Sequence, residues 1–435
     1  MVGTGKHRLD GRRLYIPHMD SGAARVMAAA FRSIRIDARP SPDSDARTLL
    51  LGKKYTSGEE CYPEIVTIGD FLKVTEMPDF RPEKTAFFMP TAPGPCRFGQ
   101  YSQFQRKVFD DLGYKDLMIL SPTSETGYEE LGEHATDFIR TAWWAVVVSD
   151  ALRKSLLKTR PYERNRGETD RVHDHVLSRV CGIIEVPGEP LGEKFENILS
   201  AMKEIPGEFR AIPADYSRVK PLIGVVGEIF CRLNHFSNEE LVRKIEAHGG
   251  EVWLSGVAGW VWYTNAEQRW RIERSMSGVA RWKALLRSMI KTHIQRRDEH
   301  ALTAPFEEDF YGFEEPEIEE VFTHCRAYLP PEKVSGESVL NVGEIIYYYH
   351  KGADGAIDIS PFTCMHGGLG EDLYQNVSRD HDGIPVRSFT CDETQSDVDD
   401  NVGIFMKLVE TYMRRKKVER RLPHYFSRRG EAVTV

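Results

Sequence analysis

Three cysteines stand in settings that suit a reactive or metal-bound thiolate. Cys61 lies in Gly58-Glu59-Glu60-Cys61-Tyr62-Pro63, Cys96 in Gly94-Pro95-Cys96-Arg97-Phe98-Gly99-Gln100-Tyr101, and Cys364 in Pro361-Phe362-Thr363-Cys364-Met365-His366-Gly367-Gly368. Each opens a helix-like run, and Cys96 and Cys364 follow an apolar, strand-like run. A thiol at the positive end of a helix, close to free backbone amides, is expected to have a lowered pKa. Three soft thiolates without a fourth suit a cubane iron–sulfur cluster that keeps one iron open. The competing reading is that these are small buried hydrophobes, since cysteine is among the most buried residue types.

The neighbouring residues fit the first reading. Gly94 and Pro95 make a turn before Cys96, and Gly367, Gly368 and Gly370 follow Cys364, so backbone amides can approach a sulfur. Arg97, Gln100 and Tyr101 are candidates to orient or shield a cofactor, and Glu60 and His366 are candidate proton donors. His366 also reads as a fourth ligand or as a loop surface residue. The remaining cysteines, Cys181, Cys231, Cys325 and Cys391, lie in apolar or strand-end contexts and read as core. His324 beside Cys325 keeps a zinc-type site open.

The chain has 435 residues, 41% hydrophobic and 29% charged, which points to two or three globular domains. A net charge of −8 argues against general nucleic-acid binding. No apolar run approaches the roughly 18 residues of a membrane helix. The N-terminus lacks a signal-peptide core, so a cytoplasmic location is expected. Seven scattered cysteines with no Cys-x-x-Cys pair are not a disulfide framework. No P-loop, dinucleotide fingerprint or nucleophile elbow is present.

Positioning these residues requires alternating strands and helices. Strand-like runs at Leu14–Ile16, Thr85–Met89 and Leu117–Leu120 alternate with helical patterns at Ala23–Ile34 and Phe104–Leu112. Residues 129–217 are helix-dominated. Alternation then resumes, with strands expected at Leu222–Ile229, Glu251–Leu254, Ala356–Pro361 and Pro385–Phe389, and one helical block over Asn265–Glu299. The order strand, Cys loop, helix, strand occurs at Phe87–Leu120 and again at Ile357–Phe389. The expected fold class is therefore α/β: two Rossmann-like parallel-sheet domains facing across a cleft, with helical insertions. The expected division is residues 1–128, a helical segment 129–217 connecting the domains or covering the cleft, 218–420, and a basic tail 421–435. The cations from Arg414 onward read as helix-terminal charges with a frayed end, or as a docking patch for an acidic partner or anionic cofactor.

The three cysteine motifs, with Gly224-Val225-Val226-Gly227-Glu228-Ile229 and Asn234 before Phe236-Ser237-Asn238, resemble the 2-hydroxyacyl-CoA dehydratase and benzoyl-CoA reductase superfamily. The resemblance is closest to the dehydratase-like C-terminal region of the large acyl-CoA dehydratase activase-related proteins. It runs from about Arg13 to about Tyr412. It implies two Rossmann-like domains and a [4Fe–4S] cluster on Cys61, Cys96 and Cys364. It also implies a separate dimeric ATP-hydrolysing activase, with its own iron–sulfur cluster, that supplies low-potential electrons. The chain then reduces or dehydrates a small-molecule substrate of the acyl-CoA kind at the open iron, alone, as a homodimer or beside a related dehydratase-like subunit. A double-cubane [8Fe–9S] branch ranks lower because only three thiolates are placed. The Met-Pro-Gly that often follows the third cysteine in the family is here Met365-His366-Gly367. Two rivals remain: a cluster-bearing electron-transfer or assembly subunit without a substrate, and a cluster-free clamshell binding protein.

Overall fold

The structure is a computed structural model that describes residues 9–92, 94–123, 128–392 and 398–426. The first strands and helices are β1 (Arg13–Ile16), α1 (Ser21–Ser33), β2 (Ala38–Pro40), α2 (Ala46–Tyr55), α3 (Tyr62–Thr75), β3 (Thr85–Phe88), α4 (Tyr101–Asp111) and β4 (Met118–Leu120). The long helices α5 (Ala135–Thr159), α6 (Glu168–Ile184) and α7 (Leu191–Arg210) follow. The remainder runs β5 (Leu222–Gly227), α8 (Ile229–Leu233), α9 (Leu241–Ala247), β6 (Glu251–Leu254), α10 (Val257–Ser275) and α11 (Gly278–Thr303). It closes with α12 (Ile318–Cys325), α13 (Glu337–His350), β7 (Gly355–Pro361), α14 (Met365–Asp380), β8 (Val386–Cys391) and α15 (Val398–Met413).

The chain forms two compact units. One comprises Met1–Ser149, Leu177–Ile198 and Leu233–Ser237, the other Asp150–Val176, Leu199–Arg232 and Asn238–Val435. The helix-rich residues 129–217 are thus shared between them. Among the described residues each unit holds one four-stranded parallel sheet, ordered β2-β1-β3-β4 in the first and β6-β5-β7-β8 in the second. The protein is therefore α/β with two Rossmann-like domains of the same strand order. In each sheet the chain leaves the first strand toward one edge and the third strand toward the other. The crevice between their carboxyl ends is where ligands bind in open α/β sheets.

In the first unit the Phe87 ring of β3 stacks on Phe71 of α3, centroids 4.2 Å apart, and on Phe109 of α4, centroids 5.2 Å apart. One side chain thus seats both helices on the same face of the sheet. α2 and α3 approach at backbone distance. A Cβ on Gly52 would lie 2.2 Å from the Ile65 carbonyl oxygen, and one on Gly69 would lie 2.1 Å from that of Thr48. Only glycine allows this contact, which sets where α3, and the cysteine at its head, begins.

In the second unit β5 and β7 are buried along their whole length, as parallel strands covered on both faces require. The expected strand over Leu222–Ile229 ends at Gly227, which has φ +126°, and Ile229 starts α8. The expected block over Asn265–Glu299 is two helices, α10 and α11, broken at Met276-Ser277 and restarted at Gly278 with φ +60°. α9 begins only at Leu241 because the Asn238 side-chain carbonyl accepts from the Leu241 amide while its side-chain amide donates to the Cys231 and Arg232 carbonyls. β2 and α2 were not anticipated. β2 is a three-residue edge strand containing Arg39 and Pro40, too short to show a period.

Three cations of the basic segment after α15 are tied to carboxylates of the second unit. Lys416 pairs with buried Asp354 at 2.6 Å, Lys417 with Asp382 at 2.6 Å, and Arg420 with Glu251 at 2.7 Å, where the two side chains are 4% and 0% exposed. Arg428 and Arg429 lie outside the described residues.

Candidate functional site

All three motif cysteines occupy the same structural position. Cys61 precedes α3 at φ −67°, ψ 139°, Cys96 precedes a 3-10 turn leading into α4 at φ −70°, ψ 136°, and Cys364 precedes α14 at φ −68°, ψ 124°. Each is an extended N-cap, so the first-turn amides beyond it are directed toward its side. The Phe98 amide donates to Cys96 Sγ at 3.5 Å. The Cys61 carbonyl receives the Glu64 and Ile65 amides, and the Cys364 carbonyl receives that of Gly368.

The first unit brings the Cys61 and Cys96 loops together. Arg97 donates through Nη1 to the Glu59 carbonyl at 2.9 Å. Thr91 Oγ1 donates to the Gly99 carbonyl at 3.2 Å, which ties the Cys96 loop to the end of the sheet. Phe98 stands edge-on to Tyr101, centroids 5.4 Å apart, and both rings join the cluster that buries Cys61. Gln100 is exposed at the junction with α4. Glu60 closes the preceding turn by accepting the amides of Ser57 at 2.8 Å and Gly58 at 3.1 Å. It is thus engaged as a loop clasp.

A carboxyl that sequence reasoning missed lies next to this pair. Glu64, in the first turn of α3, is 2% exposed. Gln105 Nε2 donates to its Oε2 at 3.4 Å, while Oε1 has no hydrogen-bond partner among the described residues. Burial, with the Glu60 charge adding, raises its pKa well above the carboxylate range, although the Gln105 bond opposes this. The sequence signal was present as an acid three residues after Cys61, but that spacing reads first as a helix-dipole acid.

The second unit places Cys364 at the carboxyl end of β7. The preceding Thr363 has φ +60°, an unfavourable region for a β-branched residue and a mark of imposed strain. The expected lowering of the thiol pKa is not found here. Burial pushes the Cys364 thiol up to about 12, and the charges of Glu228 and Glu337 add to this. The amides of Gly367 and His366 oppose it without prevailing. The helix terminus is outweighed by desolvation of the thiol together with the charges of Glu228 and Glu337.

His366 is buried in the first turn of α14, not a loop surface residue. Its Nδ1 lies 3.2 Å from Ser338 Oγ, which also donates to the His366 carbonyl at 3.1 Å. The ring occupies the space over Gly336, where any Cβ would fall 1.9 Å from the ring. Burial lowers its pKa, so the imidazole is neutral at physiological pH.

Below Cys364 lies a buried polar network that includes Arg232. Its guanidinium donates to the carbonyls of Gly227 at 2.7 Å and Gly256 at 3.1 Å. Its charge acts on Glu228, Glu337, Glu344 and Asp358, yet burial dominates and raises the pKa of all four. Glu337 reaches about 8 and Glu344 about 7. Glu228 accepts the amides of Phe230 and Cys231, and Glu337 accepts that of Ile229. Such a network can hold protons near neutral pH. Only the Gly227-Glu228-Ile229 motif, with Arg232 four residues on, hinted at it, since Glu337, Glu344 and Asp358 are remote in sequence.

Cys61 and Cys96 belong to the first unit and Cys364 to the second. Among the described residues, no group of three His, Cys, Asp or Glu side chains stands at metal-ligand spacing within either unit. His324 stacks on His350 and forms a pair with Glu320, and Cys325 is buried with its thiol pushed up to about 12. Cys181, Cys231 and Cys391 are likewise buried. Among the described residues no helix is long and apolar enough to cross a membrane. Comparison with known protein families and with curated proteins finds no match for this chain.

Proposed function

We propose that this chain is the substrate-reducing, iron–sulfur component of a two-part cytoplasmic system of the 2-hydroxyacyl-CoA dehydratase type. The observation that carries the reading is the shared geometry of the three motif cysteines. Each caps a helix in one extended conformation, and the Arg97–Glu59 bond joins two of their loops. Cys61, Cys96 and Cys364 would hold a [4Fe–4S] cluster, and the soft thiol donors with adjacent backbone amides fit that group. When bound, such a cluster supplies single low-potential electrons and an open iron site.

The chain's own residues supply the rest. Arg97 holds the Cys96 loop against the Cys61 loop. Burial raises the pKa of Glu64, Glu228 and Glu337, the last to about 8, and these are the acids available to a substrate that gains electrons. The Cys364 thiol, protonated at pH 7, must release its proton for ligation, so assembly should be favoured at higher pH. The low-potential electrons would come from an ATP-hydrolysing activase, and the substrate class is a small acyl thioester.

Anaerobic purification followed by iron and acid-labile sulfide assay, with EPR, tests this. The expectation is about four irons per chain, lost in Cys61→Ser, Cys96→Ser and Cys364→Ser and retained in Cys325→Ser. Absence of iron after reconstitution, or a cluster indifferent to the three substitutions, overturns the reading. About eight irons would favour the double-cubane branch.

A further inference from the structure

Helix α11 carries an apolar row that the fold leaves uncovered. Val279, Trp282, Leu286 and Met289 follow one another at intervals of three, four and three residues, and Ile290 widens the row. Val279 is 71% exposed and Trp282 74%, and the other three are more than half exposed. An isolated exposed leucine is ordinary. A contiguous row containing a tryptophan marks an interaction surface.

A second row runs along one edge of the first. Lys283, Arg287 and Lys291 recur every four residues and therefore share a helix face. From Gly278 to Arg297 the chain contains Lys and Arg but no Asp or Glu, in a protein whose net charge is −8. Other cations in this unit do meet carboxylates, among them Arg210 with Asp309 and Lys351 with Glu314. Lys283, Arg287 and Lys291 have no such partner among the described residues.

We infer that the exposed face of α11 docks an amphipathic helix of a partner protein whose own apolar seam is flanked by carboxylates. The three-four spacing is that of a coiled-coil seam, and residues beside the seam set partner choice by charge. A second copy of the chain would bring two uncompensated basic rows to one interface, which like charge disfavours. An acidic helix satisfies both rows at once.

The test uses the full-length chain and a fluorescein-labelled synthetic peptide of about four heptads, with Leu at a and d and Glu at e and g. A matched peptide carries Lys in place of Glu. Fluorescence anisotropy should show saturable binding of the Glu peptide that weakens with salt. Binding should fall at least about tenfold in Trp282→Glu/Leu286→Glu, a loss of roughly 1.4 kcal/mol. The reversal Lys283→Glu/Arg287→Glu/Lys291→Glu should lose the Glu peptide and gain the Lys peptide. All substituted side chains are exposed, and circular dichroism confirms that each variant is folded. The inference is overturned if the Glu peptide does not bind or if both peptides bind the wild type equally. Trp282-dependent binding to phosphatidylcholine–phosphatidylserine vesicles, or Trp282-dependent self-association by light scattering, also overturns it.

Discussion

The guanidinium of Arg97 donates to the carbonyl of Glu59 at 2.9 Å, so the residue after Cys96 is bound to the loop that leads into Cys61. A charge-assisted bond of this kind contributes roughly 1.5–3 kcal/mol. In Arg97→Ala the Cys61 loop should open more often, and alkylation of buried Cys61 by iodoacetamide should quicken about tenfold. Peptide mass spectrometry of timed samples measures this. Unchanged labelling would show that the hydrophobic cluster around Cys61 holds the loop without Arg97.

The α2–α3 contact sets where α3 begins. In Gly69→Ala the new Cβ meets the Thr48 carbonyl, which is backbone and cannot swing away. Overpacking of this kind costs roughly 1–3 kcal/mol. Denaturant unfolding should show that loss. Gly182→Ala, on a helix with no atom within 4 Å of the new Cβ, should be neutral or slightly stabilising.

Arg420 and Glu251 form a buried pair that Tyr162 completes, its hydroxyl donating to the same carboxylate oxygen at 2.7 Å. Removing the guanidinium leaves a buried carboxylate without its nearest cation, and Arg420→Ala should cost roughly 3–5 kcal/mol. Lys407→Ala breaks an exposed pair with Glu410 and should cost less than about 1 kcal/mol. Equal losses in the two variants would show that the buried Arg420–Glu251 pair holds the segment after α15 no more firmly than an exposed pair would.

Glu344 is 4% exposed, and burial raises its pKa from 4.5 to about 7 while Arg232 and Ser255 pull it down. The folded state therefore binds its proton more tightly than the unfolded state does. Its contribution to stability is complete below about pH 4.5, declines as pH rises and is gone above about pH 7. Glu344→Gln removes this dependence and should reduce the stability loss between pH 5 and pH 8 by roughly 2–3 kcal/mol. Thermal unfolding at the two pH values gives the difference. A wild-type curve flat over this range would show that Glu344 stays ionised.

The fold class was legible because two residue patterns repeat. The apolar runs at Leu14–Ile16, Thr85–Met89, Leu222–Ile229 and Ala356–Pro361 gave the central strands of the two sheets, and the strand–cysteine–helix–strand order placed Cys96 and Cys364 beyond the third strand of each. Central parallel strands are buried on both faces, so their sequences are apolar throughout and stand out. β2 did not stand out. An edge strand of three residues takes its conformation from pairing with β1, and Leu14 opposite Ala38 is a contact that no local window contains.

By itself the sequence determined which side chains open helices. Cysteine, a following proline or glycine, and an apolar period of 3.6 are local properties, and all three motif cysteines became N-caps. Charge state was decided only by tertiary structure. A helix terminus favours a thiolate, but burial beside Glu228 and Glu337 raises the Cys364 thiol instead. Those carboxyls sit on other elements and act through space in a low-dielectric interior. The same holds for Glu64 in its buried first turn, for His366 over Gly336, and for Lys416, Lys417 and Arg420 after α15, which are matched by acids distant in sequence. Local sequence carries conformation, whereas solvation and electrostatics depend on what packs around a group, which the folded chain alone specifies.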